Sequence, residues 1–116
     1  MNIHMTFKHM DATEALKTHV NDQSERIKKF VPMQSEATWT FYVDADVHTA
    51  DLRVHGPHID YFAQAKSPNL YQSIDQAIDK IERQLKKHKE IVKSHARKER
   101  AEKKKAFEDV DKSEEE

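Results

Sequence analysis

The sequence predicts an α+β two-layer sandwich, with two helices on one face of a four-stranded sheet, in the order β-α-β-β-β-α. Three observations carry this. Four runs alternate apolar and polar residues, two longer stretches repeat apolar residues at intervals of three and four, and turn residues separate them.

The elements follow in order. Ile3, Met5 and Phe7 alternate with His4, Thr6 and Lys8, which predicts a first strand. Asp11 or Thr13 can cap a helix, and Asp11 and Glu14 have the spacing of a capping box. The helix should run to about Phe30, with Leu16, Val20, Ile27 and Phe30 as its apolar stripe, until Pro32 stops it. Ala37, Trp39, Phe41 and Val43 then share one face of a second strand, with Trp39 and Phe41 expected in the core and Tyr42 on the other face. A turn at Asp44-Ala45-Asp46 leads to Ala50, Leu52 and Val54 on a third strand. Gly56-Pro57 breaks the pattern before Ile59, Tyr61, Ala63 and Ala65 on a fourth, whose opposite face carries Phe62. Such clean alternation points to an antiparallel sheet, one face covered and one wet. Ser67-Pro68-Asn69 opens the last helix. Its stripe of Leu70, Ile74, Ala77, Ile78, Ile81 and Leu85 should pack on the sheet, and with no proline or glycine after residue 69 the helix can continue to Lys105, its far part fraying for want of packing.

The 116 residues suit one globular unit, expected over residues 1–92 with a charged, partly helical and then disordered extension over 93–116. The chain has no cysteine, which excludes disulfides and thiolate metal sites. Residues 1–8 lack the apolar run of a signal peptide and no stretch reaches membrane-spanning length, so a cytoplasmic protein is expected. The net charge of -1 conceals a segregation of charge. Residues 1–79 carry 7 basic and 11 acidic side chains, residues 80–105 carry 12 and 4, and residues 106–116 carry 1 and 6. A strongly basic segment inside a near-neutral chain is an electrostatic footprint for a polyanion.

The basic segment begins Asp79-Lys-Ile-Glu-Arg-Gln-Leu-Lys-Lys-His-Lys89. Lys80, Arg83 and Lys87 recur at i, i+3 and i+7 and so share one expected exposed face, flanked by Lys86 and Lys89 and partly offset by Glu82 and Glu90. Such a ridge can meet successive phosphates of RNA; the bland reading is a solvated amphipathic helix. Lys28 and Lys29, ending the first helix, either complement its dipole or add a second phosphate contact. Other chemistry finds little support. The eight histidines lack metal-ligand spacing, and His48, His55 and His58 read as polar-face residues. Asp44, Asp46, Asp51 and Asp60 have no nucleophile or phosphate loop beside them, so neither catalysis nor a cofactor or metal is expected. Tyr42 and Phe62, if exposed, could contact a base or a protein.

Asp11-Ala-Thr-Glu-Ala-Leu16, Leu70-Tyr-Gln-Ser-Ile-Asp75 and the 79–89 stretch together resemble the ribosome hibernation-promoting factors, a family that includes the ribosome-associated inhibitor (protein Y) and is also called ribosomal subunit interface or sigma-54 modulation proteins. The resemblance covers residues 1 to about 90. It implies the same β-α-β-β-β-α fold, similar to double-stranded RNA-binding domains. It further implies a monomer that binds the small ribosomal subunit and the 70S ribosome in the channel for mRNA and transfer RNA, chiefly through 16S ribosomal RNA, and blocks translation under stress or in stationary phase. On that resemblance the contacts fall to Lys28, Lys29, Lys80, Arg83, Lys86, Lys87 and Lys89. The charged tail resembles that of the inhibitor subtype, while the basic 93–105 stretch departs from it. The rival readings are a protein-binding modulator of transcription and a generic duplex-RNA binder.

Overall fold

In the computed structural model the backbone is described for residues 1–101 and side chains for residues 1–88. The elements are β1 (Asn2–Phe7), α1 (Glu14–Ser24), a 3-10 helix (Glu25–Phe30), β2 (Glu36–Asp44), β3 (Val47–Gly56), β4 (Ile59–Ser67) and α2 (Leu70–Ala101). The strands lie in the sheet in chain order. The chain forms two compact units, Met1–Glu82 and Arg83–Glu116. The first holds the sheet, α1 and the start of α2. The change expected between residues 92 and 93 lies outside the described side chains, and the helix expected over 102–105 and the disorder expected beyond it lie outside the described residues altogether.

The four-stranded sandwich stands as expected, but the sheet is mixed. β1 runs parallel to β2, with Ile3 beside Ala37, Met5 beside Trp39 and Phe7 beside Phe41. Alternation could not reveal this, because strand direction depends on the connection: a hairpin reverses the chain, whereas α1 returns it to the end where β1 began. The other two pairings are antiparallel hairpins. In the first, Asp44 pairs with Val47 across two residues, Ala45 and Asp46, with φ of 49° and 65°. Two left-handed residues in a row define the turn whose twist matches that of the strands. In the second, Gly56 pairs with Ile59 across Pro57 and His58, the latter at φ 65°. Gly56 itself has no positive φ. Its glycine is required by close approach, since a Cβ there would lie 2.9 Å from Ser35 Cβ and 3.1 Å from Ser35 Cα.

One sheet face is the core. Ala37, Trp39, Phe41, Ala50, Leu52, Val54, Ile59, Ala63 and Ala65 are buried on it. Trp39 stacks on Phe41 with ring centroids 5.5 Å apart, and Phe41 meets Phe7 at 4.7 Å. Both helices cover this face. Leu16 and Val20 are buried on α1, and Leu70, Ile74, Ala77, Ile78 and Ile81 on α2. Each large aliphatic side chain removed from water contributes about 1.5–3 kcal/mol.

Thr13 is the cap of α1, its Oγ1 accepting from Leu16 N at 3.2 Å. The sequence suggested one α-helix to Phe30; instead the α-helix ends at Ser24 and the chain winds more tightly through Glu25–Phe30. The reason lies in the core. A 3-10 helix eclipses residues three apart, which puts Ser24 and Ile27 on one line, and both are fully buried. Ser24 Oγ there accepts the indole Nε1 proton of Trp39 at 3.2 Å. At the start of α2, Asn69 Oδ1 accepts from Tyr71 N at 2.8 Å. Ser73, fully buried, donates to the backbone oxygen of His48 on β3 at 2.6 Å and so pins the first turn of α2 to the sheet.

Candidate nucleic-acid interface

Helix α2 sorts its charges by flank. In the first unit its acidic side chains face α1: His19 Nε2 lies 2.7 Å from Asp75 Oδ1, and Arg26 Nη2 donates to Asp79 Oδ1 at 2.8 Å and to Glu82 Oε1 at 2.5 Å. Hydrogen bonds first to Asp79 and then to Glu82 raise the Arg26 pKa above its ordinary value, so the guanidinium is a permanent cation. On the opposite flank Lys80 is exposed, and its Nζ donates to the backbone oxygen of Gln64 on β4 at 2.7 Å. A neutral acceptor holds the ammonium without cancelling its charge.

In the second unit Arg83 and Lys86 are exposed. Lys87 departs from the expected exposed face. It is half-buried, and its Nζ is shielded from solvent. The physical reason is the length of its side chain, whose stem can lie along apolar surface even on the face that the spacing predicts to be exposed. Leu85 is buried, as its place in the stripe predicts. The side chain of Lys89 lies outside the described residues.

The end of the first helix bears Lys28 and Lys29, both exposed. Lys28 Nζ lies 3.0 Å from Glu25 Oε2, one turn earlier, so part of its charge is balanced locally. Lys29 Nζ lies 5.3 Å from the ring centre of Phe30. Such exposed contacts leave a lysine head available to a phosphate, because each contributes under about 1 kcal/mol.

The wet face of the sheet is built differently. Arg53 grips Asp60 with two hydrogen bonds, 3.0 Å from Nε and 2.9 Å from Nη2. His4 pairs with Glu36 at 3.5 Å, and Gln64 Nε2 donates to Asp51 at 2.8 Å. Charges of both signs alternate there, which makes a poor surface for a polyanion. Phe62 is 55% exposed on this face, whereas Tyr42 is half-buried with its hydroxyl 3.4 Å from Gln64 Nε2. Among the described residues no group of three His, Asp or Glu side chains is placed to hold a metal ion, and no helix is long and apolar enough to cross a membrane.

Of the arginines with described side chains, then, two are engaged by the protein's own carboxylates, and Arg83 is the one presented on α2. Arg26 is the residue that sequence reasoning missed. Its partners stand more than fifty positions away, and no local spacing signals such a pair.

Residues 3–93 match the family described as Sigma 54 modulation protein / S30EA ribosomal protein. The chain belongs to that family. It is 30% identical to the ribosome hibernation promoting factor of Escherichia coli strain K12 over 95 residues, which is 82% of this chain and all of that protein. The corresponding factor of Pseudomonas putida is 26% identical, covering 81% of this chain and 92% of the relative. Among solved structures, a ribosomal subunit interface protein from Coxiella burnetii superposes with a TM-score of 0.68 at 28% identity, over 77% of this chain and 98% of that one. The N-terminal domain of Thermus thermophilus Protein Y superposes with a TM-score of 0.71 over 76% of this chain and 99% of that one; at 22% identity it supports the fold alone. The 79–89 basic stretch falls inside the family match. Residues 94–116, where a tailed inhibitor was expected, fall outside it.

Proposed function

We propose that this chain is a ribosome hibernation factor of the cytoplasm. It binds the small ribosomal subunit as a monomer in the channel for mRNA and transfer RNA and inhibits translation during stress or stationary phase. The mechanism is occupancy. Helix α2 lays Lys80, Arg83 and Lys86 against the phosphate backbone of 16S ribosomal RNA, and the volume of the bound protein excludes transfer RNA. Lys28, Lys29 and Lys89 add to the cationic surface, and Lys87 joins it through a movement of its side chain. The observation that carries the reading is the exposed Arg83 on α2, in a family whose named relatives are hibernation factors. An arginine so presented can grip a phosphate with two hydrogen bonds.

Sedimentation of purified small subunits with the protein tests this. The wild type should travel with the subunit in low salt and leave it as salt rises, with a log–log slope of order -0.9 for each duplex phosphate neutralised. Arg83→Glu with Lys86→Glu should stay at the top of the gradient. Unchanged co-sedimentation of that variant would show that α2 is not the contact. Retention of a protein partner from nuclease-treated lysate, with no ribosome binding, would favour the transcriptional modulator instead.

A further inference from the structure

The sheet has two outer edges, and the fold treats them differently. On β4, the pair Gly56–Ile59 closes a two-residue turn, and alternation from that pair turns the backbone of Gln64 outward. Lys80 Nζ donates to this outward carbonyl at 2.7 Å. On β1 the phase is fixed by Asn2 N donating to Ser35 O and Lys8 N donating to Phe41 O. Even-numbered residues therefore bond to β2, and the N–H and C=O groups of Ile3, Met5 and Phe7 point away from the sheet. Among the described residues none bonds to this row from the free side. The side chains of the same three residues lie on the core face but are half-buried, whereas Ala37, Trp39 and Phe41 beside them on β2 are fully buried. Free backbone groups next to half-covered apolar side chains make a template for another strand.

The sequence of β1 says which strand fits. Laid antiparallel on a second β1 with Met5 facing Met5, Ile3 falls opposite Phe7, His4 opposite Thr6 and Asn2 opposite Lys8. No like charges meet. Each outward residue then faces another outward residue, which is the condition for reciprocal hydrogen bonds, two for each facing pair. We infer that this edge is a self-association surface: a second copy adds its β1 antiparallel to the first, with Met5 on the two-fold axis. Ile3, Met5 and Phe7 of both copies then join in one apolar strip on the core face of a continuous sheet. The pairing concerns the free protein and does not rest on the reading of α2. A strand of 6 residues makes a small interface, so the pair is weak and forms at high concentration.

Sedimentation velocity between about 10 μM and about 1 mM reads the association. The wild type should move from monomer towards dimer over that range. Met5→Pro removes one outward N–H, which an edge strand tolerates, and should stay monomeric with the circular dichroism of the wild type. Met5→Lys and Met5→Glu, each shown folded in the same way, should be monomeric alone, because like charges then meet on the axis. Mixed in equal amounts they should form a one-to-one dimer. Should Met5→Pro not fold, the mixture of the two charged variants decides by itself. A wild type that stays monomeric at about 1 mM, or a dimer as strong as the wild type's in Met5→Pro, would overturn the inference. So would absence of the mixed dimer, since any association would then run through other residues.

Discussion

The two flanks of α2 in the first unit, and the basic residues that follow on the same helix, carry charges that meet different fates. On the α1 side, Asp75 is met by His19, and Asp79 and Glu82 are met by Arg26, so each acid has a partner from another element. On the other side, Lys80 rests on a neutral carbonyl. In the second unit Arg83 and Lys86 are exposed. The difference teaches that net charge along a helix is a weak guide to what a ligand meets. What matters is which charges the fold has already answered. The wet sheet face makes the same point, because Arg53 is as basic as Arg83 but is held by Asp60.

The largest expected effect lies beneath both flanks. Ile78 is fully buried at the centre of the α2 stripe, so Ile78→Ala should cost about 2–5 kcal/mol in denaturant unfolding. If the flanks differ only in charge, the salt slope of ribosome binding should be unchanged in the folded fraction. Next is the exposed pair: Arg83→Gln with Lys86→Gln should weaken small-subunit binding about a hundredfold, near 2.7 kcal/mol, while altering stability by no more than about 0.5 kcal/mol. A comparable loss of stability would mean that these side chains belong to the fold, and the contrast between flanks would fail.

A third substitution perturbs the frame without touching either flank. Gly56→Ala should lower stability by about 1–3 kcal/mol, because the new methyl meets the Ser35 side chain and backbone, and RNA affinity should follow only the folded fraction. Replacing Ala45-Asp46 with Asn-Gly should raise stability by about 0.4–1 kcal/mol, since both positions have left-handed backbone. Thermal melts check both. The smallest effect concerns pH. The hydrogen bonds from Arg53 hold the Asp60 carboxyl below its ordinary value. A depressed carboxyl pKa favours the folded state above the unfolded value near pH 4 and loses that contribution as pH falls through the lower, folded value. An NMR titration of Asp60 should find a midpoint below the ordinary aspartate value and return it towards that value in Arg53→Gln.

Much of this molecule is legible in its sequence, for reasons of period. Alternation placed Trp39, Phe41, Leu52 and Val54 on the covered face, and spacing of three and four placed Ile74, Ile78, Ile81 and Leu85 on the buried stripe. Both patterns are local, and burial enforces them wherever the element forms. The exposure of Lys80, Arg83 and Lys86 follows from the same geometry read from the other side. Only the tertiary structure decided the parallel pairing of β1 with β2, the tightening of the chain after Ser24 to suit the Trp39 indole, the partial burial of Lys87 and the capture of Asp79 and Glu82 by Arg26. Strand direction, the tightened turn and the Arg26 clamp depend on which distant residues become neighbours. Lys87 depends on how much of a long side chain its surroundings cover, and no local period encodes either.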